Sequence, residues 1–206
     1  MIAHPLTLCG RFVRLEPLEP EHIAPLMAIA QATPEAFVYT STPVTEAQRD
    51  AYFDKAFGDR TCGEAYPFVI KEALTGRLIG TSRYADIRWQ HRNCELGYTW
   101  LDPRYQGGAA NVESKYLMLK YLFEEQDFLR VQLHTDARNL RSQEAIRRLG
   151  AVYEGVLRRH MIAKDDFIRD TVVFAITDLD WPSVKAQLAA RLEVKLAALH
   201  WNASAG

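Results

Sequence analysis

The segment from Cys94 to Thr135 constrains this chain more than any other. Cys94-Glu-Leu-Gly-Tyr-Thr-Trp-Leu101 alternates like a strand and stops at Asp102-Pro103. A run of small residues follows, Gln106-Gly-Gly-Ala-Ala-Asn111, and then Glu113 to Glu124 carries Tyr116, Leu119, Tyr121, Leu122 and Phe123 at helical spacing. Leu129-Arg-Val-Gln-Leu-His-Thr135 alternates again. Strand, helix and strand over so short a length form a βαβ unit, with parallel strands and a right-handed crossover. One glycine suffices for a turn that needs a positive φ, whereas several small residues let something large approach the peptide groups. Unpaired N–H groups and the positive end of a helix dipole attract a phosphate at such a place. The loop alone serves equally well as a tight connection.

The flanking sequence completes one domain over residues 1–206. Phe12 to Glu16 alternates, and His22, Ile23, Leu26, Met27 and Ala30 have helical spacing. Thr45-Glu-Ala-Gln48 is a capping box that opens a second helix through Tyr52, Phe53 and Phe57. Phe68 to Ile70, Leu78 to Trp89 and Cys94 to Leu101 predict an antiparallel meander. In its last strand strict alternation places Cys94, Leu96, Tyr98 and Trp100 on one face and Glu95, Gly97 and Thr99 on the other. Beyond the βαβ unit, Asn139 to Leu149 predicts a short helix ended by Gly150, and Val152 to His160 and Thr171 to Thr177 predict strands. A turn through Lys164-Asp-Asp166 joins them, and Val184, Leu188, Leu192, Leu196 and Leu199 predict a closing helix from Pro182 to His200.

A formal net charge of -1 and a pI near 6.6 remove the broad basic field that non-specific nucleic-acid binding needs. Cys9, Cys62 and Cys94 have neither disulfide nor zinc-site spacing, and the scattered histidines lack partners at ligand spacing, so no metal is expected. The first residues lack a charged lead before an apolar core, and no apolar run approaches the ~18 residues that span a bilayer. A cytoplasmic protein with no membrane contact is the expectation.

Neither G-x-x-x-x-G-K-[ST] nor G-x-G-x-x-G is present. The loop instead resembles the acetyl-CoA loop of the GNAT acetyltransferase superfamily, [RQ]-x-x-G-x-[GA]. Glu95-Leu-Gly-Tyr98, Asp102-Pro103, Gln106 to Asn111, Glu113-Ser-Lys115 and Asn139-x-x-Ser142-x-x-Ala145-x-x-x-Leu149-Gly150-Ala151 follow in the order of its RimL/RimJ-like branch. Two positions depart from the pattern: Ala109 stands where glycine is usual, and Asn111 where glycine or alanine is usual.

The resemblance implies an α/β fold with a mixed, mostly antiparallel sheet of about seven strands, flanking helices and a C-terminal helix. It implies acetyl-CoA as co-substrate, held by Tyr98, Thr99, Trp100, Gln106, Gly107, Gly108, Ala109, Ala110, Asn111, Asn139 and Ser142. It further implies transfer to a primary amine, a protein N-terminus or a small molecule, by direct attack, and a protein that pairs with a second copy. In the family the serine matching Ser142 protonates the leaving thiolate, although Asn139 and Ser142 are also ordinary helix caps. Glu95 is the candidate general base, with a plain strand carboxylate as the alternative. A backbone N–H near Tyr98 to Trp100 is the candidate oxyanion donor. His134 is expected on the second face of its strand, away from the chemistry. Arg104, Arg138, Arg141, Arg147 and Arg148 are candidates for the phosphates of CoA, and residues 39–44 and 86–93 for the acceptor mouth. A non-catalytic acyl-CoA-binding module is the alternative on the same fold.

Overall fold

The computed structural model describes residues 1–164 and 166–204. Thirteen elements follow one another: β1 Leu8–Cys9, β2 Val13–Pro17, α1 Ile23–Ala32, α2 Glu46–Thr61, β3 Tyr66–Glu72, β4 Leu78–Arg88, β5 Asn93–Leu101, α3 Ala109–Lys120, β6 Arg130–Asp136, α4 Leu140–Arg147, β7 Val152–Ile162, β8 Ile168–Thr177 and α5 Trp181–Ser204. The strands form one sheet in the order β1-β2-β3-β4-β5-β6-β8-β7. Only β5 and β6 pair in parallel, as the βαβ pattern requires.

The sheet has eight strands rather than about seven, because Leu8–Cys9 pairs with Arg14 and Leu15. Two residues are too few to show alternation, so this strand leaves no periodic signal. Helix α3 begins at Ala109, four residues before the expected start at Glu113. Ala109 and Ala110, strong helix formers, belong to the helix rather than to the loop.

Both faces of the sheet are covered. One core joins Leu15, Phe68, Ile70, Tyr84, Cys94 and Leu96 to Met118 and Leu119 of α3 and to Val184, Leu188, Leu192 and Leu196 of α5. The other joins Val69 and Trp100 to Leu26, Phe37, Tyr52 and Phe53 below α1 and α2. Phe68-Val-Ile70 is continuously apolar because alternate side chains enter opposite cores. The Leu199 side chain and Asp165, in the expected turn, lie outside the described residues.

Local signals fix the ends. Thr45 Oγ1 accepts from the Gln48 N–H at 3.3 Å while Gln48 Oε1 accepts from the Thr45 N–H at 3.3 Å, completing the capping box of α2. Glu113, buried on α3, accepts the N–H groups of Arg11, Phe12 and Val13 at 2.8, 2.7 and 2.7 Å, locking the first hairpin onto the helix. At the far edge, β7 leaves Val152, Tyr153, Val156, Leu157, Met161 and Ile162 exposed.

Candidate active site

Strands β5 and β6 pair through Asn93 with Arg130, Cys94 with Val131 and Glu95 with Gln132, and there the pairing ends. Both strands run on, to Leu101 and Asp136, so they splay beyond Glu95. At the same level β5 bulges against β4. Arg83 faces Gly97 and Thr81 faces Trp100, so the step from 81 to 83 on one strand spans 97 to 100 on the other. Tyr98 absorbs the extra residue at φ 53°, a region that non-glycine residues seldom occupy.

The bulge corrects the expected facing of β5. An added residue shifts a period-two pattern by one, so everything beyond it changes face. Cys94 and Leu96 enter the α3 core, but Trp100 enters the α1 and α2 core and Leu101 returns to the first. Tyr98 therefore shares a face with Glu95, and both line one pocket of about 320 Å³. Thr99 takes the opposite face, where its hydroxyl lies 2.7 Å from Ser82 Oγ and accepts from Lys115 Nζ. Lys115 Nζ also donates to Ser82 Oγ at 3.3 Å. Burial pulls the Lys115 ammonium down to about 7, with Glu95 acting weakly in the other direction.

Below the splay, Asp102 Oδ1 accepts the Arg104 N–H at 3.0 Å and Gln106 Nε2 donates to the Leu101 carbonyl at 3.1 Å, which folds the chain back toward α3. Gly107 has φ 75° with open space around it. Gly108 is the N-cap residue and supplies no side-chain cap, so the first N–H groups of α3 lack an intrahelical acceptor. The open face of the loop is made by the two glycines. Ala109 and Ala110 are buried in the core, so smallness there serves packing, and only their N–H groups remain for a phosphate. Asn111 is half-buried in the first turn. Lys195 of α5 holds the loop by donating to the Gly107 carbonyl at 2.8 Å.

After β6, Asn139 is the cap of α4: its Oδ1 accepts the Ser142 N–H at 3.0 Å. The Ser142 hydroxyl is half-buried and makes no hydrogen bond among the described residues. Of the arginines nearby, Arg104 pairs with Asp102, Arg138 with Asp136 and Arg148 with Glu144, while Arg147 lies over the Phe174 ring. Arg141 alone among these five makes neither contact among the described residues.

The pocket with Glu95 and Tyr98 is closed by Lys55 and Asp59 of α2, Glu64, and residues 85–88. Lys55 pairs with Asp59 at 2.8 Å and Arg88 with Asp86 at 2.9 Å. Residues 39–44 and 89–93 do not line it. The Lys164 ammonium instead binds the carbonyls of Phe37 and Thr42 at 2.8 and 3.0 Å, and Trp89 packs edge-on against Phe128.

Two further residues stand here, His134, which was expected to lie away from the chemistry, and Arg83, which the sequence did not single out. His134 Nδ1 lies 3.0 Å from Glu95 Oε2, across the splay. Its expected face is right, but that face is the one Glu95 occupies, and only the strand register shows it. Arg83, 1% exposed, stacks on Tyr98 at 4.2 Å and Tyr52 at 5.1 Å from the ring centroids. Among the described residues its Nε and Nη1 have no hydrogen-bond partner. Among the described residues no carboxylate forms an ion pair with Arg83. Cation–π contacts contribute up to about 2 kcal/mol each when desolvated, against several kcal/mol for burying an ion.

Among the described residues no group of three or more His, Cys, Asp and Glu side chains is placed to hold a metal, and no helix is long and apolar enough to cross a membrane.

A sheet that splays beside a bulge, with a small-residue loop opening the crossover helix, defines an acyltransferase-like α/β scaffold. Over residues 13–152 the chain matches the Acetyltransferase (GNAT) domain, and it belongs to that family. It is 26% identical over 120 residues to the [Ribosomal protein uS5]-alanine N-acetyltransferase of Escherichia coli, covering 58% of this chain and 61% of that protein. It is 32% identical over 99 residues to the Probable N-acetyltransferase YjcK of Bacillus subtilis, covering 48% and 54%. The chain thus spans less than two thirds of the length of each of these two curated relatives. Among solved structures it is similar to a GCN5-related N-acetyltransferase from Brucella melitensis, with a TM-score of 0.81 and 26% identity over 92% of this chain and 86% of that one. Mycobacterium smegmatis RimJ in complex with CoA-disulfide shares the fold, with a TM-score of 0.76 and 20% identity over 91% and 95% of the two chains. These relatives fit the RimL/RimJ-like branch that the order of motifs resembles.

Proposed function

We propose that this protein transfers an acetyl group from acetyl-CoA to a primary amine, of a protein N-terminus or a small molecule, by direct attack. The observation that carries the reading is the convergence of Glu95, the Tyr98 bulge and the splay of β5 from β6. Family membership supports the same chemistry, and the uS5-alanine relative supports a protein N-terminus as one acceptor class.

In this reading, N–H groups of Gly108 to Asn111 receive the pyrophosphate, and Asn139 and Arg141 flank the CoA arm. Gln106 shapes the loop through its bond to Leu101. Acetyl-CoA supplies the activated acyl carbon. Glu95 takes a proton from the incoming ammonium, directly or through water, which frees the nitrogen lone pair. Backbone N–H groups along Tyr98, Thr99 and Trp100 stabilise the charge that develops on the acyl oxygen. Ser142 donates its hydroxyl proton to the departing sulfur. A cytoplasmic location, and pairing of two copies through the exposed β7 edge, belong to the same proposal; light scattering of the purified protein tests the pairing.

The test is acetyl-CoA turnover, read by release of free thiol, against a panel of amines and short peptides for the native protein, Glu95→Gln and Ser142→Ala. Turnover cut strongly by either substitution, with CoA binding retained, supports these roles. CoA binding without turnover on any acceptor would favour a non-catalytic acyl-CoA-binding module.

A further inference from the structure

Lys115 is a buried titratable group that the acetyl-transfer reading leaves unused, and it sits behind the bulge of β5. The β4–β5 ladder pairs Thr81 with Trp100 and Arg83 with Gly97, so Ser82 lies opposite the bulge with no ladder partner on β5. A bulge interrupts backbone pairing, and Tyr98 at φ 53° adds a conformation that persists only where its surroundings hold it. On the α3 face side chains take over that holding. The Thr99 hydroxyl donates to the Gly97 carbonyl at 3.3 Å, lies 2.7 Å from Ser82 Oγ and accepts from Lys115 Nζ. Lys115 Nζ also donates to Ser82 Oγ at 3.3 Å, so one amine ties the two strands together where their ladder is interrupted. Ser82 and Lys115 are buried, and Thr99 is half-buried. No carboxylate forms an ion pair with Lys115 among the described residues. The two hydroxyl acceptors match the two hydrogens of a neutral amine, the form toward which burial drives this side chain. An apolar side chain would fill the same space without the desolvation cost that a lysine brings, a cost offset only by the bonds it makes.

We propose that Lys115 is a positioning residue for acetyl transfer: acting through Thr99, it holds the β5 bulge in the shape that presents the backbone N–H groups of Tyr98 to Trp100 to the acyl oxygen. The inference rests on the acetyl-transfer reading above and adds to it a residue that touches no substrate. Thr99 is the link, because its backbone N–H belongs to the proposed donors and its hydroxyl to the clamp. Donors for a developing oxyanion act by being fixed before the reaction, and a displacement of about 1 Å at such a place costs about 10²-fold in rate. On the opposite face of the sheet the Arg83 guanidinium lies against Tyr98, so the bulge is held from both sides. A clamp at this place acts on the transition state, where the charge on oxygen is largest, and is separate from the pyrophosphate loop. Cutting it lowers kcat and spares CoA affinity.

The experiment measures kcat and calorimetric CoA affinity for native protein, Lys115→Met, Thr99→Val, Thr99→Ser and the double variant of Lys115→Met with Thr99→Val, with urea unfolding to show that each is folded under assay conditions. Lys115→Met and Thr99→Val are each expected to lower kcat by about 10- to 100-fold with CoA affinity unchanged. The double variant is expected to be no slower than Thr99→Val alone, because both changes cut one link. Thr99→Ser keeps the hydroxyl and is expected to recover most of the rate. Native kcat in a folded Lys115→Met overturns the proposal, and so does a Thr99→Ser as slow as Thr99→Val. CoA affinity that falls in step with kcat overturns it too, leaving Lys115 a support of the fold at large. Backbone order parameters of Tyr98 to Trp100, expected near about 0.85 in native protein and below about 0.6 once the clamp is cut, give a second readout. If Lys115→Met does not fold, Thr99→Val decides: order lost there upholds the link, and a bulge as ordered as the native one ends the proposal. Absence of native turnover on every amine sinks the acetyl-transfer reading instead. The order parameters of native protein against Lys115→Met then decide by the same two outcomes whether Lys115 holds the bulge.

Discussion

His134 Nδ1 lies 3.0 Å from Glu95 Oε2, joining two strands at the point where their backbone pairing stops. The imidazole holds one carboxylate oxygen, and the other, Oε1, lies against Gly97. Glu95→Gln keeps the shape and removes the proposed base, so kcat/KM is expected to fall by about 10²- to 10⁴-fold while CoA affinity is retained. His134→Ala leaves the carboxylate but frees its rotamer, and a smaller loss of about tenfold is expected. Steady-state kinetics with calorimetric CoA titration checks both; a His134→Ala enzyme with native kcat/KM would reduce the contact to a structural one.

Lys115 gives a pH signature of its own. Its ordinary value is 10.5 and burial brings it to about 7, so the folded state holds the neutral amine more readily than the unfolded chain does. Between pH 7 and 10.5 the unfolded state binds the extra proton. Stability from this group therefore rises with pH across that window, by up to about 1.4 kcal/mol per unit, and is flat below it. Lys115→Met removes the titration, while Ser82 and Thr99 still bond to each other at 2.7 Å. Urea unfolding at pH 7, 8 and 9 is expected to show the native protein gaining on the variant at each step; a constant difference would mean that the ammonium is solvated.

The βαβ unit, the capping box and the closing helix were legible because each is a local pattern with a definite period. The small residues of the loop were legible, but not their division of labour: its glycines are open and its alanines are core. The facing of Tyr98, Thr99 and Trp100 was not legible, because one inserted residue reverses a period of two and Gly97 was its only hint. Glu95 with His134, and Arg83 with Tyr98, are relations between strands. Register decides them, and alternation within one strand is silent on register.

Glu113 and Gly10 form a structural lock independent of the site. A Cβ at Gly10 would lie 2.4 Å from Glu113 Cδ, so Gly10→Ala must push the carboxylate away from the three N–H groups it accepts. A loss of about 1–3 kcal/mol is expected for Gly10→Ala. For Glu113→Ala a loss of about 3 kcal/mol or more is expected, because buried donors lose a charged acceptor. Urea unfolding measures both, and a double variant no weaker than Glu113→Ala alone would confirm that they share one interaction.

Gly107 separates backbone strain from ligand binding. Its φ of 75° costs a residue with a side chain about 1–2 kcal/mol, and nothing stands within 4 Å of an added Cβ, so Gly107→Ala folds with a modest loss. Gly76 offers the matching control: its φ is 70°, its surroundings are equally open, and it lies in the β3–β4 turn away from the loop. Both alanine variants are expected to lose similar stability. Only Gly107→Ala places a methyl group where the proposed pyrophosphate site meets the N–H groups of α3, so only it is expected to weaken CoA binding, by about tenfold. Equal CoA affinity in the two variants would place the pyrophosphate elsewhere and leave Gly107 as a turn residue.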